Sequence, residues 1–190
     1  IGGTFTSLSG VAAKALAKLG ANGTVDVVFN SNMGTGFNGA VNDIQVFSDG
    51  RILVVGSFTS FNGVGRNGVC VLNANGTLNT SFNPGSGANG SIGSCAIQSD
   101  GKILLTGEFT SFNGVSRNYI NRLNANGSND TGFNIGTGPN NFVYKAELQS
   151  NGKIIAIGTF TSINGSVARY IARFNADGSL DPTFNSGNAT

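Results

Sequence analysis

The stretch Asn175-Ala176-Asp177-Gly178-Ser179-Leu180-Asp181 sets oxygen-bearing side chains at every second position around a glycine. That is how a calcium loop begins, and a bound Ca2+ would use Asn175, Asp177 and Asp181. Three similar stretches read GANGTVD, NANGTLN and NANGSND, with Asn in place of most carboxylates and no bidentate Glu following. A hairpin turn is therefore the better reading. Gly34-Thr35-Gly36, Gly85-Ser86-Gly87 and Gly136-Thr137-Gly138 have the composition of phosphate cradles. Each precedes a strand-like run rather than the helix N-terminus such a cradle needs, so they read as connections. Asp26, Asp130 and Asp181 recur beside turns, where a carboxylate usually caps backbone N–H groups. No nucleophile, base and orienting acid come together by any spacing, and the chain has no His. The commonest general base and transition-metal ligand is thereby missing. Neither catalysis nor a cofactor is expected.

The elements that position these residues follow from a repeat. Gly-x-Phe-Thr-Ser occurs at Gly3, Gly56, Gly107 and Gly158, at spacings of 53, 51 and 51 residues. A second marker, Phe-Asn, keeps the same steps at Phe29-Asn30, Phe82-Asn83, Phe133-Asn134 and Phe184-Asn185. Two markers in phase establish a repeat of about 51 residues.

Each unit divides into four short runs, in the second unit Asn42 to Phe47, Arg51 to Phe58, Asn67 to Leu72 and Leu78 to Phe82. Asp49-Gly50, Asp100-Gly101 and Asn151-Gly152 predict two-residue type I′ hairpins between the first two runs. Asn73-Ala74-Asn75-Gly76 and its counterparts predict a longer hairpin with Gly in the left-handed position. Ile52-Leu53-Val54-Val55 does not alternate with polar residues, as expected for a sheet covered on both faces. The predicted fold is all-β, a β-propeller of four-stranded antiparallel blades, either a closed ring or a partial ring or arc. As one repeat domain over 1–190, its units fall at 1–37 (a partial first blade), 38–87, 88–138 and 139–190.

VAAKALAKL, residues 11–19, has a helical look but aligns with the third run of every other unit. Leu16 takes the place of Val69, Ile120 and Ile171, and Leu19 that of Leu72, Leu123 and Phe174. Those counterparts favour strands, and helix propensity is worth only tenths of a kcal/mol per residue. A strand is predicted.

Composition bounds the rest. Only 11% of residues are charged and the net charge is +2, with basic residues scattered, which is no nucleic-acid-binding pattern. No apolar run approaches the roughly 20 residues of a membrane span. Cys70 and Cys95 lie in apolar strand-like runs and are expected to be buried free thiols.

DGKILLTGEFTSFNGVSRNYINRLNANGSNDTGFN (100–134) and NGKIIAIGTFTSINGSVARYIARFNADGSLDPTFN (151–185) resemble the delta-60 repeat. This is a β-propeller-like repeat of bacterial surface and secreted proteins and of some phage-encoded proteins. The resemblance implies a propeller fold and an extracellular, cell-surface or virion setting, and it carries over no catalytic residue. The first unit departs from the pattern with Leu8-Ser9-Gly10 where the others have Asn-Gly, and with Ala13 in the arginine place. The fourth reads as one residue longer in the same loop, so that Ala168 takes the arginine place and Arg169 is shifted by one.

In an up-and-down blade the loop after the second strand and the connection to the next blade share a face. That face gathers Phe61, Asn62, Arg66, Phe112, Asn113, Arg117, Asn164 and Arg169. Exposed aromatics beside Asn and Arg suit sugar or protein recognition; alternatively the Phe residues fill the space between blades and Asn-Gly makes a turn. The expected function is a non-enzymatic structural or adhesion module of a phage fibre or tail or a bacterial surface or secreted assembly. The alternative is a lectin with one shallow site per blade. The first unit lacks its opening strand, so expected partners are other copies or adjacent segments of the same assembly, together with a cell-surface glycan or protein receptor.

Overall fold

The computed structural model describes residues 1–184. Asn185, the last residue of the fourth Phe-Asn marker, lies outside the described residues, as does the remainder of the fourth unit to residue 190.

Three blades are antiparallel sheets of three strands. The first, second and third strands are Val41–Val46, Ile52–Gly56 and Val69–Leu72 in the second blade. They are Ile92–Ile97, Ile103–Gly107 and Ile120–Leu123 in the third. In the fourth they are Val143–Leu148, Ile154–Gly158 and Ile171–Phe174. The second strand is central in each sheet. The fourth run is not a strand: it contributes one bridge per blade, Leu72 to Leu78, Leu123 to Asn129 and Phe174 to Leu180. Its next residue explains why. Asn79 accepts hydrogen bonds from the N–H groups of Ser81 and Phe82, Asp130 from Gly132 and Asp181 from Thr183, so the chain turns instead of extending.

The predicted type I′ turns at Asp-Gly are a different hairpin. Phe47 and Arg51 close a three-residue loop in which only Gly50 has positive φ, 84°, and the N–H of Gly50 donates to Phe47 O. The Asp49 side chain takes up the Arg51 N–H, completing a type I turn followed by a left-handed Gly. The type I′ geometry occurs instead at Asn62-Gly63, Asn113-Gly114 and Asn164-Gly165, where both residues have positive φ. Each forms the tip of a separate two-stranded ribbon, Ser60–Phe61 with Val64–Gly65 in the second blade. Arms of two residues carry no readable periodicity, so the second run is predicted to continue to Phe58, whereas the strand stops at Gly56. The fourth ribbon, Ser162–Ile163 with Ser166–Val167, has the same length as the others, so the extra residue assigned to that loop does not exist. Arg169 instead occupies the place of Asn67 and Asn118.

Residues 11–19 are not helical, but neither do they form the predicted third strand. Where Val69–Leu72 pairs along a full second strand, this segment has only Gly2 beside Leu16, and it makes isolated bridges instead. Val11–Ala12 is one arm of the first ribbon, Leu16 bridges Gly2, and Leu19 bridges Val25. Ala15 sits at φ 66°, which no α-helix accommodates, and Gly68, Tyr119 and Tyr170 hold the same conformation in the other blades. Helix forms instead at Val27–Asn32, where the Asp26 side chain accepts from the Phe29 N–H at 3.0 Å. This N-cap overrides the β-branched Val27 and Val28. Among the described residues no helix is long and apolar enough to cross a membrane.

The blades pack as an arc through three apolar clusters, one per junction. Side chains of the second and third strands alternate between neighbours. Leu53, Val55, Val69 and Val71 face the following blade, while Val54, Cys70 and Leu72 face the preceding one. Phe58, Phe109 and Phe160, the aromatic of the Gly-x-Phe-Thr-Ser motif, are buried at these junctions. Each such ring contributes about 2–3 kcal/mol by leaving water. Cys70 and Cys95 are free and buried, as expected, and burial pushes both thiols well above their ordinary range.

Candidate functional site

The connections and the ribbon tips do lie on one face, and they are bonded to each other. Phe37, Ala88 and Pro139, just after the three Gly-Thr/Ser-Gly connections, form bridges with Phe61, Phe112 and Ile163. Asn62 Oδ1 accepts from the Thr35 N–H at 3.1 Å, Asn113 from Ser86 at 3.2 Å, and Asn164 from Gly138 at 2.9 Å. Behind them, Asn38 accepts from the N–H groups of Thr59 and Ser60 and donates to Thr59 Oγ1. Asn89 and Asn140 repeat this in the next two blades. These three Asn residues escape sequence reasoning although they recur at the repeat spacing; phasing the connections on the Phe-Asn marker exposes them.

The aromatic part of the predicted face is not available to a ligand. Phe61 and Phe112 are 1% and 0% exposed, and Phe37 packs on Phe58 and Phe61 at centroid distances of 4.5 and 4.8 Å. The rings fill the space between blades. Arg66 donates to Gly65 O, and its Nε is buried without a hydrogen-bond partner. Arg117 donates to Asn121 Oδ1 and to Ser116 O. Arg169 is exposed and one position further along, so the three arginines do not form a ring of equivalent groups.

The calcium-like loop is built into a blade junction. Asp177 takes hydrogen bonds from the N–H and hydroxyl of Ser179, and Asn175 donates to the same hydroxyl. The Asp177 carbonyl accepts from the Asn134 N–H at 2.7 Å, Arg122 donates to Ala176 O, and a side chain at Gly178 would collide with Phe133. Asp181 receives Lys153, Arg173 and Thr183. Hydrogen bonds from Lys153, then Thr183, hold its carboxyl far below the usual range against the opposing effect of burial. Among the described residues no three His, Cys, Asp or Glu side chains are grouped to hold a metal.

A feature with no sequence signal is a cleft repeated at two junctions. One is lined by Phe5, Thr6, Ala15, Asn38 and Ala40, the other by Phe58, Thr59, Gly68, Asn89 and Ser91. The third junction has Tyr119 and Phe142 in the places of Gly68 and Ser91, their rings edge to face at 5.5 Å. Small residues at two repeat positions leave the first two clefts open.

No curated protein matches the chain. The family described as "Domain of unknown function (DUF5122) beta-propeller" matches at residues 1–29, 48–82, 98–133 and 149–184, one segment in each repeat unit. With its markers, strands and junctions repeating in step with those four segments, the chain belongs to this β-propeller repeat family.

Proposed function

We propose that this protein is a non-catalytic β-propeller module serving structure or adhesion in an extracellular assembly, a phage fibre or tail or a bacterial surface or secreted complex. What carries this reading is how the recurring polar side chains are used. Asn38, Asn62, Asn89, Asn113, Asn140 and Asn164 all bind backbone of their own blade or of the adjoining connection. The polar chemistry of the connector face is thus committed to shape. The resemblance of residues 100–134 and 151–185 to the delta-60 repeat supports the extracellular setting. Antibodies against this chain, applied to intact source cells and to particles purified from their medium, test the proposal. Labelling of the outer surface or of the particles is expected, and signal confined to lysed cells overturns it.

The two open clefts favour a second reading, a lectin that takes a neutral sugar at each. The third junction supplies the test, because Gly68→Tyr with Ser91→Phe copies its plug. Binding on a glycan array that falls in this double variant, with the fold retained, supports the lectin; a blank array excludes it for the glycans displayed.

A further inference from the structure

The three junctions inside the chain hold their clefts in one backbone frame. On one wall the N–H groups of Ala15, Gly68 and Tyr119 donate to the carbonyls of Phe5, Phe58 and Phe109 at 2.8, 2.9 and 2.8 Å. On the other wall the carbonyls of Ala40, Ser91 and Phe142 accept from the N–H groups of Ser57, Glu108 and Thr159 at 3.0, 2.8 and 2.9 Å. Only the side chains differ. The third junction puts Tyr119 and Phe142 into the space, their rings 74° apart in the edge-to-face contact that aromatic pairs prefer. Ala15 with Ala40, and Gly68 with Ser91, leave clefts of about 340 and 230 Å³. The second of these lies between two three-stranded blades, away from both ends of the chain.

The polar groups around the second cleft are largely spent on the fold. Asn89 accepts from the N–H groups of Thr110 and Ser111 and donates to Thr110 Oγ1. Asn67 donates to Ser86 O, and Ser91 Oγ accepts from Asn42. Phe58 is 1% exposed and offers no ring face on which a sugar could stack. The cleft therefore suits an aromatic ring better than an array of hydroxyls.

We propose that the cleft at the second junction, with its counterpart at the first, is a socket for a Tyr or Phe side chain carried by an exposed segment of a partner protein. The occupant is argued from the third junction, where the same frame is filled by aromatic side chains of the chain itself. An entering ring would take that place and bury its faces between two blades. The inference deepens the adhesive reading by giving the partner's chemistry, and competes with a sugar for the same clefts. It rests on the adhesive reading only for its setting, so surface labelling and ring binding can fail separately.

Titration of the chain with N-acetyl-tyrosinamide, N-acetyl-leucinamide and methyl α-glucopyranoside, followed by amide NMR, tests this. The tyrosine probe is expected to give saturable shifts at the N–H groups of Gly68 and Ser91 and of Ala15 and Ala40, with the leucine probe about tenfold weaker or more. Gly68→Tyr with Ser91→Phe copies the third junction and is expected to abolish the shifts at the second cleft. Those at the first should persist, which also shows that the variant is folded. Tyr119→Gly with Phe142→Ser is expected to open the third junction and raise the bound tyrosine probe from about two to about three per chain. Absence of saturable shifts with the tyrosine probe overturns the proposal, as does equal binding of the leucine probe. A sugar that shifts these N–H groups where tyrosine does not overturns it in favour of the lectin. So does a folded chain with the third junction opened that gains no site count against the ring as the occupant, and overturn it.

Discussion

Arg122 donates from Nε to Asp130 at 2.7 Å with both side chains only 9% exposed, and in the second blade the two charges are absent together, as Val71 and Asn79. The first and fourth blades keep the pair as Lys18 with Asp26 and Arg173 with Asp181. In all three charged blades the cation also lies over the Phe of the Phe-Asn marker. The pair thus exists in full or not at all; at Asp130 and Asp181, whose side chains are buried, that is how a charge behaves when a lone partner is costly, while Lys18 and Asp26 form a more exposed pair.

A double-mutant cycle follows directly. Arg122→Val leaves Asp130 with Lys102 alone and is expected to cost about 3 kcal/mol. Adding Asp130→Asn restores the arrangement of the second blade, where Asn79 still caps the turn, and brings the total loss down to about 1 kcal/mol. Urea unfolding of the three variants measures the coupling; strictly additive losses would contradict it.

Acid should weaken the fold through the same groups. At Asp130, burial pulls the carboxyl upward, but hydrogen bonds from Lys102, Arg122 and the Gly132 N–H outweigh it and hold it below the ordinary range. Asp181 is held lower still, by Lys153 first. A depressed folded value means that the unfolded chain binds more protons. The stabilisation is therefore complete above the unfolded carboxylate value of about 4 and drains away as pH falls from there toward the folded values. Denaturant midpoints should be level from about pH 8 to 5 and fall steeply below 4, with a shallower fall in Asp130→Asn.

The repeat markers made most of this architecture readable in advance. Placing Leu16 and Leu19 beside Val69 and Leu72 overruled a local helical preference, and both residues make bridges. The ribbons stayed hidden because Ser60–Phe61 and Val64–Gly65 are too short to show alternation. Asp49-Gly50 and Asn62-Gly63 carry the same turn signal, yet only the second is type I′; the difference is one residue of register set by the Val46 and Ile52 pair. Phe61 belongs to a loop by its sequence surroundings and to the core by its contacts, and only the arrangement of neighbouring blades reveals that. The capping role of Asp130 and Asp181 was legible from the turn, but their cations lie eight residues earlier on the third strand, a relation that needs the sheet.

The Gly of the Gly-x-Phe-Thr-Ser motif has a steric cause that differs between blades. A Cβ at Gly107 would lie 2.3 Å from Ser91 O and 2.8 Å from Gly93 N, across the bulge of the first strand. The first blade has no such strand beside Gly3, whose nearest contact would be the Phe5 ring at 3.2 Å. Gly107→Ala is expected to cost about 3 kcal/mol or more through backbone displacement, and Gly3→Ala less than about 1. Thermal unfolding of the two variants distinguishes this from a general requirement for glycine in the motif.

At the ribbon tips, Asn113 performs two tasks that two substitutions separate. Its φ of 48° is left-handed, and its Oδ1 accepts from the Ser86 N–H on the connection. Asn113→Gly keeps the conformation and loses only the bond between tip and connection, an expected cost of about 1 kcal/mol. Asn113→Ala loses the bond and also forces a Cβ-bearing residue without local hydrogen bonding into the left-handed region, adding about another 1 kcal/mol. Hydrogen exchange at the Ser86 N–H should quicken in both variants, while global stability falls further in the alanine. Equal stability of the two would mean that the tip conformation carries no strain, and unchanged exchange at Ser86 would mean that the tip does not hold the connection.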